Sequence, residues 1–174
     1  MRRLTMVTAY SFPMAKHVAA AGADLVLVGD SLGMVELGHA TTTPVTVDDM
    51  LRAAAAVRRG VDSTVCRRQR PRHGESSSSS SGSSSSGGRS SKRSGDGGSS
   101  DGGTRPMVVV DLPFGSYELG PTQALATAQR FVKEAGADAV KLEGGAHMAD
   151  TVAALVRGGV PVVSYNKVKC SEMK

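Results

Sequence analysis

Aromatic side chains are scarce in this chain. Only 3% of its 174 residues are aromatic and none is tryptophan, so Val, Leu, Ala and Met must build any core. Cysteine is also rare, because Cys66 and Cys170 are the only two. Their spacing does not match a metal site, and two residues cannot form a framework of several disulfides. We interpret both as reduced thiols without a metal-binding role.

Long apolar runs and targeting signals are missing as well. No run approaches the roughly 18 apolar residues that cross a bilayer. The first residues, MRRLTMVTAY, contain neither an apolar signal core nor a long Arg/Ser-rich leader. As written, the sequence predicts a cytoplasmic protein without a membrane partner. A mitochondrial location stays open if the chain is eukaryotic and its amino terminus is incomplete.

Positive charge is concentrated in one segment. Residues 67–105 hold eight of the 21 Lys and Arg residues and three of the 16 Asp and Glu residues. This segment therefore accounts for the whole net charge of +5, and the remaining sequence is neutral. The high isoelectric point does not indicate that the globular part binds nucleic acid.

The same segment has a composition typical of disorder. It contains 15 Ser, nine Gly and no aromatic residue, so burial cannot offset the entropy cost of ordering it. We predict a disordered basic Ser/Gly-rich insert. Two other interpretations stay open: an arm that binds RNA or is phosphorylated, and translated non-coding sequence. Because no aromatic residue is available for base stacking, we do not expect nucleic acid as a partner.

Strand and helix patterns alternate outside the insert. Apolar runs predict strands at 4–9, 24–29, 107–111, 138–142 and 160–163, with helices between them. Thr46 and Asp49 form a variant capping box at the start of the second long helix, and Gly60 is expected to end it. The tetrapeptide Ala-Gly-Ala-Asp occurs at 21–24 and again at 135–138, each time between a helix and a strand.

Such alternation with short connections predicts parallel βα units. These units suit either a TIM barrel or a doubly wound sheet. A closed barrel needs eight units and about 250 residues. This chain has about four and a half units, so if its fold is a barrel, we expect that barrel to be incomplete.

Polar residues stand at the carboxyl ends of the predicted strands. Asp30 and Ser31 follow the second strand, Asp111 ends the third, and Lys141 and Glu143 end the fourth. Ligand sites of parallel α/β folds lie at this edge of the sheet. Each residue alone is also compatible with a helix cap or a solvated ion pair. Together, three carboxylates and one ammonium group predict a Mg²⁺ site whose lysine binds a substrate carboxylate.

The blocks around these residues resemble one known family. The stretch TAYSFPMAKHVAAAGADLVLVGDSLGMVELGHATTTPVTVDDM resembles the amino-terminal signature of the ketopantoate hydroxymethyltransferase family. The blocks VVVDLPFGSYE and KEAGADAVKLEGG resemble the next two blocks of that family. The resemblance covers about 4–65 and 106–163, and the order and spacing of GDSLGM, DLPF and KLEGG are highly specific.

The resemblance implies a partial TIM (β/α)8 barrel of the phosphoenolpyruvate/pyruvate type. It also implies a homo-oligomeric enzyme of pantothenate biosynthesis, which transfers a hydroxymethyl unit from 5,10-methylenetetrahydrofolate to 3-methyl-2-oxobutanoate, giving 2-dehydropantoate. Asp30 and Asp111 match the Mg²⁺ ligands of the family, and Glu143 matches its metal-associated carboxylate. The positions that bind the keto acid correspond to Asp30, Ser31, Asp111 and Lys141.

Other positions match the motifs or depart from them. Met34, Gly38 and Thr42 match, and we expect them to be loop or packing residues. The insert falls in a helix-to-strand connection, which in a barrel lies on the face opposite the active site. After Val163 the sequence SYNKVKCSEMK departs from the family, and no residue, Glu172 included, matches its catalytic glutamate. We therefore expect impaired activity.

These observations predict four segments. Residues 1–66 form the first βα units, 67–105 the insert, 106–163 the continuing units, and 164–174 a divergent tail. Two alternatives to the transferase stay open: a non-catalytic half-barrel that assembles with a full-length partner, and another Mg²⁺-dependent keto-acid enzyme of the same superfamily.

Overall fold

The computed structural model describes residues 3–68 and 105–165. Most of the predicted disordered insert, 69–104, and the tail from 166 onward lie outside the described residues. A short 3-10 turn at Ala146–Met148 precedes the last helix. In chain order the elements are β1 (Met6–Thr8), α1 (Phe12–Ala20), β2 (Leu25–Val28), α2 (Leu32–Val35), α3 (Val47–Arg68), β3 (Met107–Asp111), α4 (Pro121–Ala135), β4 (Ala139–Glu143), α5 (Ala149–Arg157) and β5 (Val162–Tyr165).

The five strands form one sheet in which every pair is parallel and each strand lies beside the next along the chain. The long helices follow the same order, since α3 packs between α1 and α4, and α4 packs against α5. A doubly wound sheet reverses its strand order part-way, whereas a barrel does not. The structure is therefore an arc of a (β/α)8 barrel, which confirms the predicted fold class.

The apolar core lies between the sheet and the helices. Val28, Val110 and Val140 are adjacent in the strand register and fully buried. They belong to one cluster with Ala54 of α3 and Phe131 of α4. Because side chains alternate along a strand, the residues on either side of these valines face the inside of the barrel arc.

The two Ala-Gly-Ala-Asp repeats have the same structural role. Gly22 and Gly136 adopt φ values of 82° and 69°, the left-handed conformation that ends α1 and α4. Each following aspartate accepts a backbone N–H from the preceding strand region. Thr5 N donates to Asp24 at 2.9 Å, and Val108 N donates to Asp138 at 2.8 Å. The predicted turn from helix to sheet is confirmed.

The start of α3 was predicted correctly and its end was not. Asp49 N donates to Thr46 Oγ1 at 3.1 Å and Thr46 N donates to Asp49 Oδ2 at 3.1 Å, which confirms the capping box. The helix continues past Gly60 to Arg68. A Cβ on Gly60 would lie 2.5 Å from the Phe12 carbonyl oxygen, so this glycine permits the close crossing of α1 and α3. The sequence also did not predict the short helix α2.

Ion pairs connect the chain on both sides of residues 69–104. Arg58 is 9% exposed, and its guanidinium donates to Asp138 at 2.9 Å and to Asp62 at 2.7 Å. Arg105, which the sequence assigned to the insert, donates to Asp138 at 2.8 Å. Asp138 at the start of β4 therefore receives an arginine from α3 and another from the residue that leads into β3.

No helix in residues 3–68 or 105–165 has the length and apolar character needed to span a bilayer.

We predict that Gly60→Val lowers the free energy of unfolding by about 1–3 kcal/mol, because overpacking at this crossing forces α1 and α3 apart. Arg59→Ala, at the exposed neighbouring position, is the control and should change it by less than about 0.5 kcal/mol. Urea unfolding of both variants measures the difference. Equal stability of the two variants would show that the crossing is not tightly packed.

We further predict that a short Gly/Ser linker in place of residues 69–104 changes the unfolding free energy by less than about 1 kcal/mol. Closure entropy depends only logarithmically on loop length, and the Arg105 contacts with Asp138 and Asp62 are kept. Asp138→Ala, which removes the hydrogen bonds of Asp138 with Arg105, Arg58 and the Val108 backbone N–H, should cost about 1–3 kcal/mol. Cooperative loss of folding in the linker variant would contradict the prediction.

Candidate active site

A polar cavity of about 180 Å³ opens at the carboxyl ends of the central strands. Four of the five site residues that the sequence predicted line it, and Ser31 does not. Two threonines after α2 and the connection between β3 and α4 complete the wall. The lining residues are Asp30, Thr42, Thr43, Asp111, Leu112, Phe114, Tyr117, Lys141 and Glu143.

An ion pair between Asp111 and Lys141 forms part of the cavity wall. The two residues are paired in the register of β3 and β4, and the Lys141 ammonium donates to Asp111 Oδ1 at 2.7 Å. Their side chains are only 9% and 17% exposed, respectively. The strand register thus places both charged groups at one level of the sheet, where water has little access.

Burial determines how these two groups ionise. It raises the pKa of Asp111 and the charge of Asp30 adds to this, although the hydrogen bond and charge of Lys141 oppose it. Burial alone would lower the pKa of Lys141, but the hydrogen bond and charge of Asp111, with Glu143 and Asp30, raise it above its usual value. Lys141 therefore stays positively charged at neutral pH. The charge of Lys141 limits how far burial raises the pKa of Asp111.

Glu143 lies at the rim of the same cavity. Its carboxylate is 3.6 Å from the Lys141 ammonium, and its side chain is 61% exposed. The Tyr117 hydroxyl donates to the Glu143 backbone oxygen at 3.3 Å, which links the end of β4 to the β3–α4 connection. Glu143 can reach a ligand in the cavity, but it is much better hydrated than Asp111.

The turn after β2 brings a second carboxylate to Asp111. The backbone N–H of Asp30 donates to Asp111 Oδ2 at 3.4 Å. A Cβ on Gly29 would meet Ser31 Oγ at 2.9 Å and Asp111 Oδ2 at 3.4 Å, so a side chain at this position would crowd both oxygens. The Ser31 hydroxyl lies 2.8 Å from the Tyr10 hydroxyl, on the side facing β1.

This set of donors suits Mg²⁺ better than a softer metal. Asp30 and Asp111 both line the cavity and carry carboxylate oxygens, and Mg²⁺ typically takes one or two carboxylates together with waters and substrate oxygens. Within the described parts of the chain, no three His, Cys, Asp or Glu side chains form a ready metal cluster. Asp30, Asp111 and Glu143 thus share one cavity without forming a closed three-carboxylate site.

Sequence reasoning missed the uncharged walls of the cavity. Phe114 and Tyr117 lie in the block that follows β3, and their position after a strand end could have indicated them. Thr42 was expected to be only a loop or packing residue, but it lines the cavity. Gly38 is a loop residue with a φ of 74°, as expected, while Met34 lies in α2 and is 50% exposed rather than packed.

A family model described as ketopantoate hydroxymethyltransferase matches residues 1–85 and 99–166. The chain belongs to this family. Curated relatives named 3-methyl-2-oxobutanoate hydroxymethyltransferase include one from Gloeobacter violaceus, 42% identical over 93% of this chain and 46% of that protein. Others come from Geobacillus thermodenitrificans and Deinococcus radiodurans, each 40% identical over 93% of this chain and 43% of the relative. The chain therefore spans less than half the length of these relatives.

Solved structures of the same fold belong to enzymes that act on other molecules. An oxaloacetate acetylhydrolase matches with a TM-score of 0.61 at 12% identity, over 99% of this chain and 51% of that chain. A 2,3-dimethylmalate lyase of the PEP mutase/isocitrate lyase superfamily matches with a TM-score of 0.56 at 13% identity, over 94% and 48%. At these identities the likeness shows the fold alone, and it agrees with a barrel of the phosphoenolpyruvate/pyruvate type.

We predict that Lys141→Met raises the pKa of Asp111 further, because the buried carboxylate loses its counter-charge. Because the pKa of Asp111 is elevated in the folded state, the contribution of this group to folding stability is fully present below the ordinary carboxyl pKa of about 3.9. That contribution is lost as pH rises through the elevated value. Urea unfolding across a pH series should show a steeper decline for Lys141→Met than for wild type. Lys133→Met, at an exposed position on α4, is the control and should follow the wild-type profile.

Proposed function

We propose that this chain forms the metal- and keto-acid-binding part of a hydroxymethyltransferase. The reaction transfers a hydroxymethyl unit from 5,10-methylenetetrahydrofolate to 3-methyl-2-oxobutanoate, giving 2-dehydropantoate for pantothenate biosynthesis. The observation that carries the proposal is the buried Asp111–Lys141 pair beside Asp30, at the strand ends of a barrel whose sequence relatives bear that enzyme name.

The cavity supports a small anionic substrate. Its volume of about 180 Å³ lies below the roughly 300–1,000 Å³ of sites that enclose a drug-sized ligand, so it suits a short keto acid. Lys141 provides a positive charge whose pKa is held high, and its ammonium can bind a substrate oxyanion. Thr42 and Thr43 also line the cavity. We assign keto-acid binding to Asp30, Ser31, Asp111 and Lys141.

We assign the metal to Asp30 and Asp111, with Glu143 as the associated carboxylate. Bound Mg²⁺ would act as a Lewis acid on the 2-oxo group of the substrate, which eases loss of the proton from the neighbouring carbon. Two hydrogen bonds orient the Asp111 carboxylate in this site. Asp111 Oδ1 accepts a hydrogen bond from the Lys141 ammonium at 2.7 Å, while its Oδ2 accepts a longer one of 3.4 Å from the Asp30 backbone N–H. One carboxylate can therefore serve the lysine and the metal with different oxygens.

Ser31 has a supporting place in this assignment. Its hydroxyl lies 2.9 Å from the point where a Gly29 Cβ would stand, although it does not line the cavity. The hydrogen bond with the Tyr10 hydroxyl fixes its rotamer. Ser31 directly follows Asp30, which lines the cavity, so we place its hydroxyl next to the keto-acid site.

Two partner assignments remain predictions from the resemblance and composition. We propose a homo-oligomer, which the family resemblance implies. Nucleic acid is not expected, since the basic charge lies outside the cavity-forming segments.

The proposal is tested by equilibrium binding, which does not depend on turnover. Isothermal titration calorimetry of the full chain should show Mg²⁺ binding and Mg²⁺-dependent binding of 3-methyl-2-oxobutanoate. Asp111→Asn should weaken both by at least about tenfold, because it removes a charged ligand and the partner of Lys141. Asp150→Asn changes an exposed carboxylate in the first turn of α5 and is the matched control. Equal affinities for Asp111→Asn and wild type would contradict the proposed site.

A further inference from the structure

The hydroxyl of Ser31 has a different partner from the one that its position predicts. Ser31 is the N-cap residue of α2, and a serine at this position usually accepts a hydrogen bond from a backbone N–H of the first turn. Here the side chain makes no capping bond, and its Oγ lies 2.8 Å from the Tyr10 hydroxyl. The hydroxyl therefore pairs with a residue that follows β1 rather than with its own helix.

The same hydroxyl lies close to the carboxylate of Asp111. Ser31 Oγ and Asp111 Oδ2 are 2.9 and 3.4 Å, respectively, from a single point, the position that a Cβ on Gly29 would occupy. Asp111 lines the cavity, as does Asp30, which directly precedes Ser31. The direction in which the Ser31 proton points therefore matters for a ligand that binds beside these carboxylates.

Tyr10 is placed by the sheet and the core, not by Ser31 alone. The backbone N–H of Ala9 donates to the Leu27 carbonyl oxygen at 2.9 Å, which fixes the chain after β1 against β2. Ala9 is fully buried, and the partly buried ring of Tyr10 packs against the apolar core. The phenol oxygen thus has a defined position to which the Ser31 side chain can turn.

The chemistry of the two hydroxyls sets the direction of their hydrogen bond. Either oxygen can donate in this pair. A phenol is the better donor, because its ring delocalises the charge that builds up on the oxygen, and an aliphatic hydroxyl is the better acceptor. A serine hydroxyl has one proton, so accepting from Tyr10 leaves that proton for another partner. Donation to a carboxylate is charge-assisted, and a chain of two hydroxyls strengthens it further.

We propose that Tyr10 is a positioning residue, which donates to Ser31 Oγ and thereby directs the Ser31 proton to the carboxylate of the keto acid. This inference rests on the proposed function, because it deepens the assignment of Ser31 to keto-acid binding. Tyr10 acts only through Ser31 and has no part in holding the metal. Without the phenol oxygen, the Ser31 hydroxyl is free to turn to the backbone N–H groups of α2, as capping serines do.

The test is a double-mutant cycle on the full chain, measured by isothermal titration calorimetry. It compares wild type, Tyr10→Phe, Ser31→Ala and the variant that carries both changes. Ser63→Ala is the matched control, since the Ser63 hydroxyl also makes a partly buried hydrogen bond of 2.8 Å, to the Gly60 carbonyl oxygen in α3, and does not line the cavity. Each form is titrated with Mg²⁺ alone and then with 3-methyl-2-oxobutanoate at saturating Mg²⁺.

We expect Ser31→Ala to weaken keto-acid binding on the order of tenfold and Tyr10→Phe to weaken it roughly three- to tenfold. The double variant should bind the keto acid as Ser31→Ala does, because Tyr10 has no effect once the hydroxyl that it orients is gone. Mg²⁺ affinity should change less than about twofold in every form, since these hydroxyls are not the charged oxygen ligands that hold the metal. Tyr10→Phe keeps the ring, so its Mg²⁺ binding also reports that the site is folded. Ser63→Ala should match wild type for both ligands.

Three results would overturn the inference. The first is equal keto-acid affinity for Tyr10→Phe and wild type. The second is a loss on Tyr10→Phe that persists in full when Ser31 is already alanine, and the third is a parallel loss of Mg²⁺ binding, which a merely structural role would produce. If Ser31→Ala binds the keto acid as wild type does, this inference fails while the site at Asp111 and Lys141 stands. If wild type binds neither ligand, the proposed function itself fails.

Discussion

The strand register is the constraint on which the site depends. The register pairs Asp111 of β3 with Lys141 of β4, and Lys141 with Val163 of β5. The three residues therefore form one row across the strands near their carboxyl ends. The row below it contains the buried valines that hold the sheet against the helices. A shift by one residue in any strand would exchange these two sets of side chains. The apolar core and the polar cavity are therefore specified by the same pairing.

The cavity concentrates charge in a place that disfavours it. Asp111 is buried against Lys141, with Asp30 close enough to raise its pKa. Such a pair contributes little to folding stability, because desolvation offsets most of the attraction. Its value is local: it holds a charged oxygen donor and an ammonium group at fixed positions. The helices and the apolar rows below provide the stability that this arrangement does not.

Much of the fold could be predicted because local signals and global structure agree. Three sequence patterns each predict a single local structure, and the structure confirms each of them. They are the apolar run at 107–111, the Thr46–Asp49 capping box and the two glycine turns. Gly60 misled because glycine is used both to end helices and to let helices cross closely, and only the position of α1 distinguishes the two. Arg105 was assigned to the insert by composition. The assignment failed because its partner, Asp138, is distant in sequence and only the fold brings the two together.

The site was predictable in part for a similar reason. Charged residues at strand ends indicate a cavity, and four of the five that were named line it. Ser31 is directed to Tyr10 by a hydrogen bond that depends on where β1 lies. Phe114 also lines the cavity, but it carries no charge and so gave no such signal. The consecutive strand order also affects folding during synthesis. β1 and β2 can pair as soon as they leave the ribosome. β3 cannot join them until α2, α3 and residues 69–104 have been synthesised. Until then β2 offers an unpaired apolar edge, which exposes the nascent chain to aggregation during this interval.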